Sequence, residues 1–226
     1  MDRIHVLALV LATGLVVYTG WKTLPHLIWA ISPATIRHWF LDFSESAQVI
    51  SASKQLQNWL HRLETLGFLQ IGVKAEKLSL RGSTVLELDM VSVADNTFAS
   101  IVLDQDGHPY SLYFYTPFTN NGIVFTRNGR FAPEMEDRST SVKNVISNDF
   151  STIFTSHRER VQAFVQRGFI PLVDSTEQSR IEATRLYYIS NYGRRAVRQL
   201  LSSSDVQGFV ASILLLVAVI IYFGMR

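Results

Sequence analysis

The chain has 226 residues, 47% of them hydrophobic, a net charge of +2 and no cysteine. The missing cysteines exclude disulfides, thiolate catalysis and cysteine-ligated metals, and the length allows one ordinary domain with attachments. The positive balance does not point to nucleic acid: residues 44–193 carry 14 basic and 16 acidic side chains, whereas phosphate binding needs clustered basic charge.

The apolar excess sits at the two ends. Ile4 to Trp21, IHVLALVLATGLVVYTGW, and Val206 to Phe223, VQGFVASILLLVAVIIYF, contain no Asp, Glu, Lys or Arg. Runs of this length cover roughly 27 Å as helix, close to a bilayer core of about 30 Å. The start, Met1-Asp2-Arg3, has cancelling side-chain charges, no small-x-small site follows closely, and Lys22 comes directly after the run. An uncleaved transmembrane anchor over residues 1–22 is expected, with a second over 206–226. Basic residues flank the inner ends of both: Lys22 and Arg37 after the first, Arg194, Arg195 and Arg198 before the second. By the positive-inside rule the body lies in the cytoplasm, under a cell inner membrane, with both short tails on the far side. Trp21, Lys22, Trp29, Trp39, Arg194, Arg195 and Arg198 are the expected membrane-interface residues.

Residues 23–43 read as an interfacial amphipathic segment. Ser32-Pro33 resembles a helix start, and Ile36, Trp39, Phe40 and Phe43 then share a face. From Ser44 to Gly67 the spacing of Val49, Ala52, Leu56, Trp59, Leu60, Leu63 and Leu66 predicts a helix with Gly67 at its C-cap. The period then changes. FLQIGV, TVLELDMVSV, TFASIVLD, YSLYFYT and GIVFTR predict about five antiparallel strands, separated by turns such as Asn120-Asn121-Gly122. Along the second of these, Val85, Glu87, Asp89 and Val91 face one way and are expected on a wet face, opposite Leu86, Leu88 and Met90. NGRFAPEMEDRSTSVKNVIS reads as a polar loop. A helix capped by Asn148 or Ser147 follows to Arg167, and Ser175-x-x-Gln178 reads as the capping box of another. The fold class is α+β: a body over 44–193, and a basic juxtamembrane stretch over 194–205.

Leu66-Gly67-Phe68, then Thr116, Phe118, Gly122, Thr126 and Asn128, then His157-Arg158-Glu159-Arg160 occur in this order. That arrangement resembles a group of bacterial membrane-associated proteins of uncharacterised function, over roughly residues 63–164. The resemblance implies a membrane-bound body and brings no chemistry or site residue with it.

Catalytic signatures are sparse. Asp104-x-Asp106-Gly107 opens like a calcium loop, but its twelfth position is Tyr115, so a hairpin turn is expected. Ser51-x-x-Lys54 has no accompanying element of an acyl-transfer enzyme. None of the six histidines shows metal-ligand spacing, and His61 and His157 are expected on solvated helix faces. Packing accounts better than nucleic-acid stacking for Tyr110, Tyr113, Phe114 and Tyr115. Gly208-x-x-x-Ser212 suits close helix contact.

These features point to a non-enzymatic scaffold, docking or accessory subunit of a membrane complex, with the lipid bilayer and a protein as partners and no cofactor. A membrane-anchored small-ligand sensor is the alternative. An enzyme would draw on Glu87, Asp89, Arg127 and His157 in one cleft.

Overall fold

A computed structural model describes residues 3–31, 36–77, 84–129, 133–190, 192–193 and 204–224. The fold is α+β, built on one mixed sheet of eight strands. In chain order the strands are β1 (Arg37–Phe40), β2 (Leu69–Lys77), β3 (Thr84–Ser92), β4 (Thr97–Leu103), β5 (Pro109–Phe118), β6 (Gly122–Asn128), β7 (Met135–Glu136) and β8 (Thr140–Val145). The helices are α1 (Arg3–Ile31), α2 (Phe43–Ala52), α3 (Lys54–Thr65), α4 (Phe150–Gln166), α5 (Glu177–Ile189) and α6 (Ser204–Gly224). Spatial order is β1-β2-β3-β4-β5-β6-β8-β7, antiparallel throughout except where β8 lies parallel to β6.

The five expected strands are β2 to β6. Three more extend the sheet at its edges. Ser32 to Thr35 lie outside the described residues, and Arg37–Phe40, expected as helix, pairs with Lys74–Lys77 as strand β1. Its alternating burial and two aromatic residues suit a strand, and β2 offers it a ladder along the sheet edge. The expected polar loop contains β7 and β8; Thr140, Ser141 and Val142 are buried, and short polar side chains hid a strand that the parallel neighbour stabilises.

The helix expected over 44–67 is two helices. Ser53 is extended, ends α2 and caps α3 by accepting a hydrogen bond from the Leu56 N–H. Ser51 and Lys54 therefore belong to different helices. Gly67 follows with φ +88°, the left-handed geometry expected at a helix end. Ser53→Ala removes the cap and is expected to cost about 1 kcal/mol in chemical denaturation. A change within about 0.3 kcal/mol would mean that packing alone sets this break. Caps also differ by a residue or more elsewhere: Asp149 caps α4 and Thr176 caps α5. At the turns, Asn96, Asn120 and Asn121 take positive φ as turn asparagines do, and Asp104 accepts from the Asp106 and His108 N–H groups, which makes 104–108 a hairpin turn.

Both faces of the sheet are covered. On one, Leu88, Met90, Ile101, Leu112 and Phe114 pack against Leu56 and Leu63 of α3 and Phe150, Ile153 and Phe154 of α4. On the other, Val91, Phe98, Tyr115 and Phe125 pack against Ala183 and Tyr187 of α5. Covering the second face overturns the expected wet side of β3.

α1 carries an 18-residue window, Val6–Thr23, of mean hydropathy 1.5, long and apolar enough to cross a membrane. The apolar run of α6, Val206–Tyr222, is shorter. The two helices pack together. Thr19 and Ser212 hydroxyls meet at 2.8 Å, and the Phe209 ring lies against Gly20. Gly208 faces open space, so only Ser212 of the small-residue pair makes the contact.

Candidate functional site

Strand register brings the charged side chains together. Lys74 pairs with Glu87 and Glu76 with Val85, while Asp89 pairs with Ser100, so these residues project from one face of β2, β3 and β4. α5 lies over them and contributes Arg180 and Thr184, one helical turn apart. Lys74 Nζ is 2.8 Å from Glu87 Oε2, 3.7 Å from Asp89 Oδ2 and 4.0 Å from Glu76 Oε2. Arg180 Nε is 3.1 Å from Asp89 Oδ1, and its Nη2 is 3.6 Å from Glu87 Oε2. No side chain among these five is more than 11% exposed.

Further polar side chains complete the shell. Tyr113 donates to Glu87 at 2.7 Å, Arg180 Nη2 donates to Tyr113 Oη at 2.8 Å and to Ser100 Oγ at 2.9 Å, and Ser100 donates to Asp89. Lys74 and Arg180 both donate to Thr184 Oγ1. Tyr188 donates to Glu76, and His38 Nδ1 lies 3.4 Å from the same carboxylate while its ring stacks on Tyr188. Burial pushes the Glu87 carboxyl up, but Lys74 and Arg180 beside it outweigh burial and hold it at about 2. Burial lowers the Arg180 guanidinium, and Asp89, Tyr113 and Glu87 reverse this, leaving it raised and permanently charged. Burial and the Glu87 charge push the Tyr113 hydroxyl well above its ordinary value.

Beside this cluster a cleft of about 220 Å³ opens between the sheet and α5. Glu76, Glu87 and Arg180 line one part and Arg127 another, with Tyr113 and Tyr187 between them. Tyr110, 49% exposed, stands at the rim. Tyr113 stacks on Phe125 at 4.9 Å, and the Arg127 Nε donates to Ser111.

Of the four residues expected to converge, Glu87, Asp89 and Arg127 project from the α5 face. Glu87 and Arg127 line the cleft, and Asp89 lies in the charged cluster beneath it. His157 lies on the opposite face, and it is fully buried rather than solvated. Thr116 donates to the Asn96 carbonyl, so it accepts from His157 Nε2 at 3.0 Å. Arg160 donates to Thr126, which in turn donates to His157 Nδ1 at 2.7 Å. This chain of donors assigns the neutral Nε2–H tautomer. Burial, and next the Arg160 charge, hold His157 well below the ordinary histidine range, in agreement with that tautomer.

Residues of the arrangement singled out in the sequence have a packing role. Thr116, Thr126, His157 and Arg160 pin α4 to the β5–β6 hairpin, Asn128 accepts from the Leu112 N–H, and Gly122 leaves room for Phe118 and Phe169.

Lys74, Arg180 and Thr184 were not singled out in the sequence. Lys74 and Glu76 alternate within a strand-like stretch, which is their only local signal. His61 is exposed beside Glu64, as expected. Of the interface residues, Trp21 is 54% exposed, Lys22 lies over the Tyr18 ring and Trp39 is 40% exposed on the edge strand. Arg194, Arg195 and Arg198 lie outside the described residues, and for Trp29 only its place in α1 is described. Among the described residues no cluster of His, Asp and Glu could hold a metal ion. No family model, curated protein or solved structure matches the chain.

Proposed function

We propose that the chain is a membrane-tethered small-ligand-binding module, with α1 and α6 as its two spans and the body on the cytoplasmic side of the inner membrane. The cleft between the sheet and α5 carries this reading: charged groups that are nearly fully buried, held by one another, share a concave surface with aromatic rings. Its position supports a sensing role. Arg37 begins β1 opposite Lys77, and Tyr188 near the end of α5 reaches Glu76, so the chain enters and leaves the body at the same end of the sheet. Glu76, Val85, Tyr110 and Arg127 place the cleft at that end. A ligand that tightens α5 on the sheet acts on the element that leads towards α6.

The test is thermal unfolding of the full chain in mild detergent against a panel of small metabolites. At least one is expected to raise the midpoint in a saturable way, by linkage to the folded state, and Tyr187→Ala to abolish the rise. If no compound shifts the midpoint and no small molecule copurifies by native mass spectrometry, the binding reading fails.

A scaffold or accessory-subunit role is the second reading. It is favoured by Val165, Ile170 and Leu172, which are 46%, 63% and 41% exposed around the end of α4, away from the cleft. A native particle containing unlike subunits would support it; a bare monomer would remove it.

A further inference from the structure

The charges in and beneath the cleft balance one another. Lys74, Arg127 and Arg180 stand against Glu76, Glu87 and Asp89. All six are engaged: Glu76 receives Tyr188 and lies beside His38, Arg180 reaches Asp89 and Glu87, and Arg127 is held in part through Ser111. A charged ligand therefore meets no spare counter-charge. A cation nearing Glu87 finds Lys74 Nζ and Arg180 Nη2 already 2.8 and 3.6 Å from that carboxylate, and an anion nearing Arg180 finds Asp89 and Glu87. Bringing a charge out of water into such a site costs more than it returns.

Two uncommitted groups remain. Lys74, Arg180 and Tyr113 all reach the same oxygen of Glu87, Oε2, while Oε1 meets no donor among the described residues and is not sealed off from the cleft that Glu87 lines. Tyr110 stands half-exposed at the rim, and no other ring among the described residues lies against its own. Register sets the distance between them. Glu87 lies opposite Val102, and Val102 opposite Ser111, the neighbour of Tyr110. Glu87 and Ser111 are thus two strand steps apart, about 10 Å between backbones at ~4.8 Å per step. Val102, nearly buried, floors the space between them, and Tyr187 of α5 lines the facing side.

Although burial opposes it, Lys74 and Arg180 keep Glu87 ionised, so Oε1 can only accept. The cleft, about 220 Å³, is smaller than the roughly 300–1,000 Å³ of sites for drug-sized ligands, which limits the occupant to one or two rings. Resting on the ligand-binding reading above, we infer that the cleft takes an uncharged planar ring bearing an N–H donor, the chemistry of a ring carboxamide or a nucleobase. Its N–H lies on Glu87 Oε1 and its face against Tyr110. The N–H fills the open acceptor without adding charge, and the flat ring gives Tyr110 the stacking contact that its neighbours do not supply. Discrimination follows from the same two features. A charged ring of equal size is left unpaired among balanced charges, and a ring without the donor leaves Oε1 desolvated and unmet.

The experiment uses the full chain in detergent and a matched set of rings, read by titration calorimetry and unfolding midpoints. Benzamide is uncharged and carries the donor, N,N-dimethylbenzamide lacks it, and benzoate and benzamidine are an anion and a cation of similar size. Adenine and caffeine, with and without N–H groups, extend the comparison to two fused rings. Benzamide and adenine are expected to bind at least about tenfold more tightly than the methylated and charged compounds. Tyr110→Ala, at a half-exposed rim position, is expected to weaken both by about tenfold while the unfolding midpoint of the free chain stays in place. Should that variant fail to fold, the ratios among the compounds need no variant. Charged rings binding as tightly as benzamide, donor-free rings binding as tightly as benzamide and adenine, or no ring binding at all, overturns the inference. A ligand from the wider metabolite panel that binds in a Tyr187-dependent way would then leave the binding module standing without it.

Discussion

Arg180→Met is expected to lower the stability of the full chain by about 3–5 kcal/mol, the cost of removing one partner from a buried ion cluster. Arg180 is 1% exposed and is the only cation that α5 brings to Asp89 and Glu87. Without it, three carboxylates share Lys74, none of these side chains more than 11% exposed. The midpoint of thermal unfolding in detergent should fall by roughly 10 °C. Adding Asp89→Leu to Arg180→Met should recover about half of the loss or more, because the stranded charge goes with its partner. A loss below about 1 kcal/mol, as for a solvated pair, would show that the cluster is hydrated and that burial does not set its energetics.

The second large effect concerns His157 and acid. Its folded-state pKa lies well below the ordinary value of 6.5, because burial and Arg160 oppose the charged form. The unfolded chain therefore binds a proton that the folded chain refuses. Stability is complete above pH 6.5 and falls as pH drops below it, by about 1.4 kcal/mol per pH unit until the folded value is reached. Glu87 adds a second loss in the same direction. Its folded value of about 2 lies below the ordinary 4.5, so its contribution is present above pH 4.5 and is lost as pH falls from there towards 2. Denaturation of the full chain at a series of pH values should thus show a first decline below 6.5 and a steeper one below 4.5. His157→Leu should cost about 2–4 kcal/mol at pH 7.5, by taking from the Thr126 hydroxyl its acceptor and from Thr116 the donor at His157 Nε2 within a buried site. It should also flatten the decline between pH 6.5 and 5. A variant that keeps the full slope there would show that another group refuses the proton.

Much of the local structure was legible from residue pattern. The five central strands, both amphipathic helices after the sheet and the asparagine and glycine turns follow from side-chain period and backbone preference, which act within a few residues. The apolar character of α1 is likewise a property of composition. Strands β1, β7 and β8 were not legible. Each is short and is held by hydrogen bonds to a neighbour: β1 to Lys74–Lys77, and β8 to β6 in parallel. A strand whose stability comes from its partner leaves little trace in its own residues.

The candidate site shows the same division more sharply. Period alone put Glu87 and Asp89 on one face of a strand, and that placement is correct. Whether the face is wet depends on α5, almost a hundred residues later, whose Arg180 and Thr184 meet β2, β3 and β4 only when the helix docks. His157 belongs with Thr116 and Thr126 for the same reason, since the three converge only once α4 lies on the β5–β6 hairpin. By itself the sequence determined the α+β character, the central meander and the apolar ends, because these depend on neighbours along the chain. Only the tertiary structure decided which polar residues are buried and which are joined, because the desolvation that turns a solvated carboxylate into part of a cluster is imposed by distant elements packing over it.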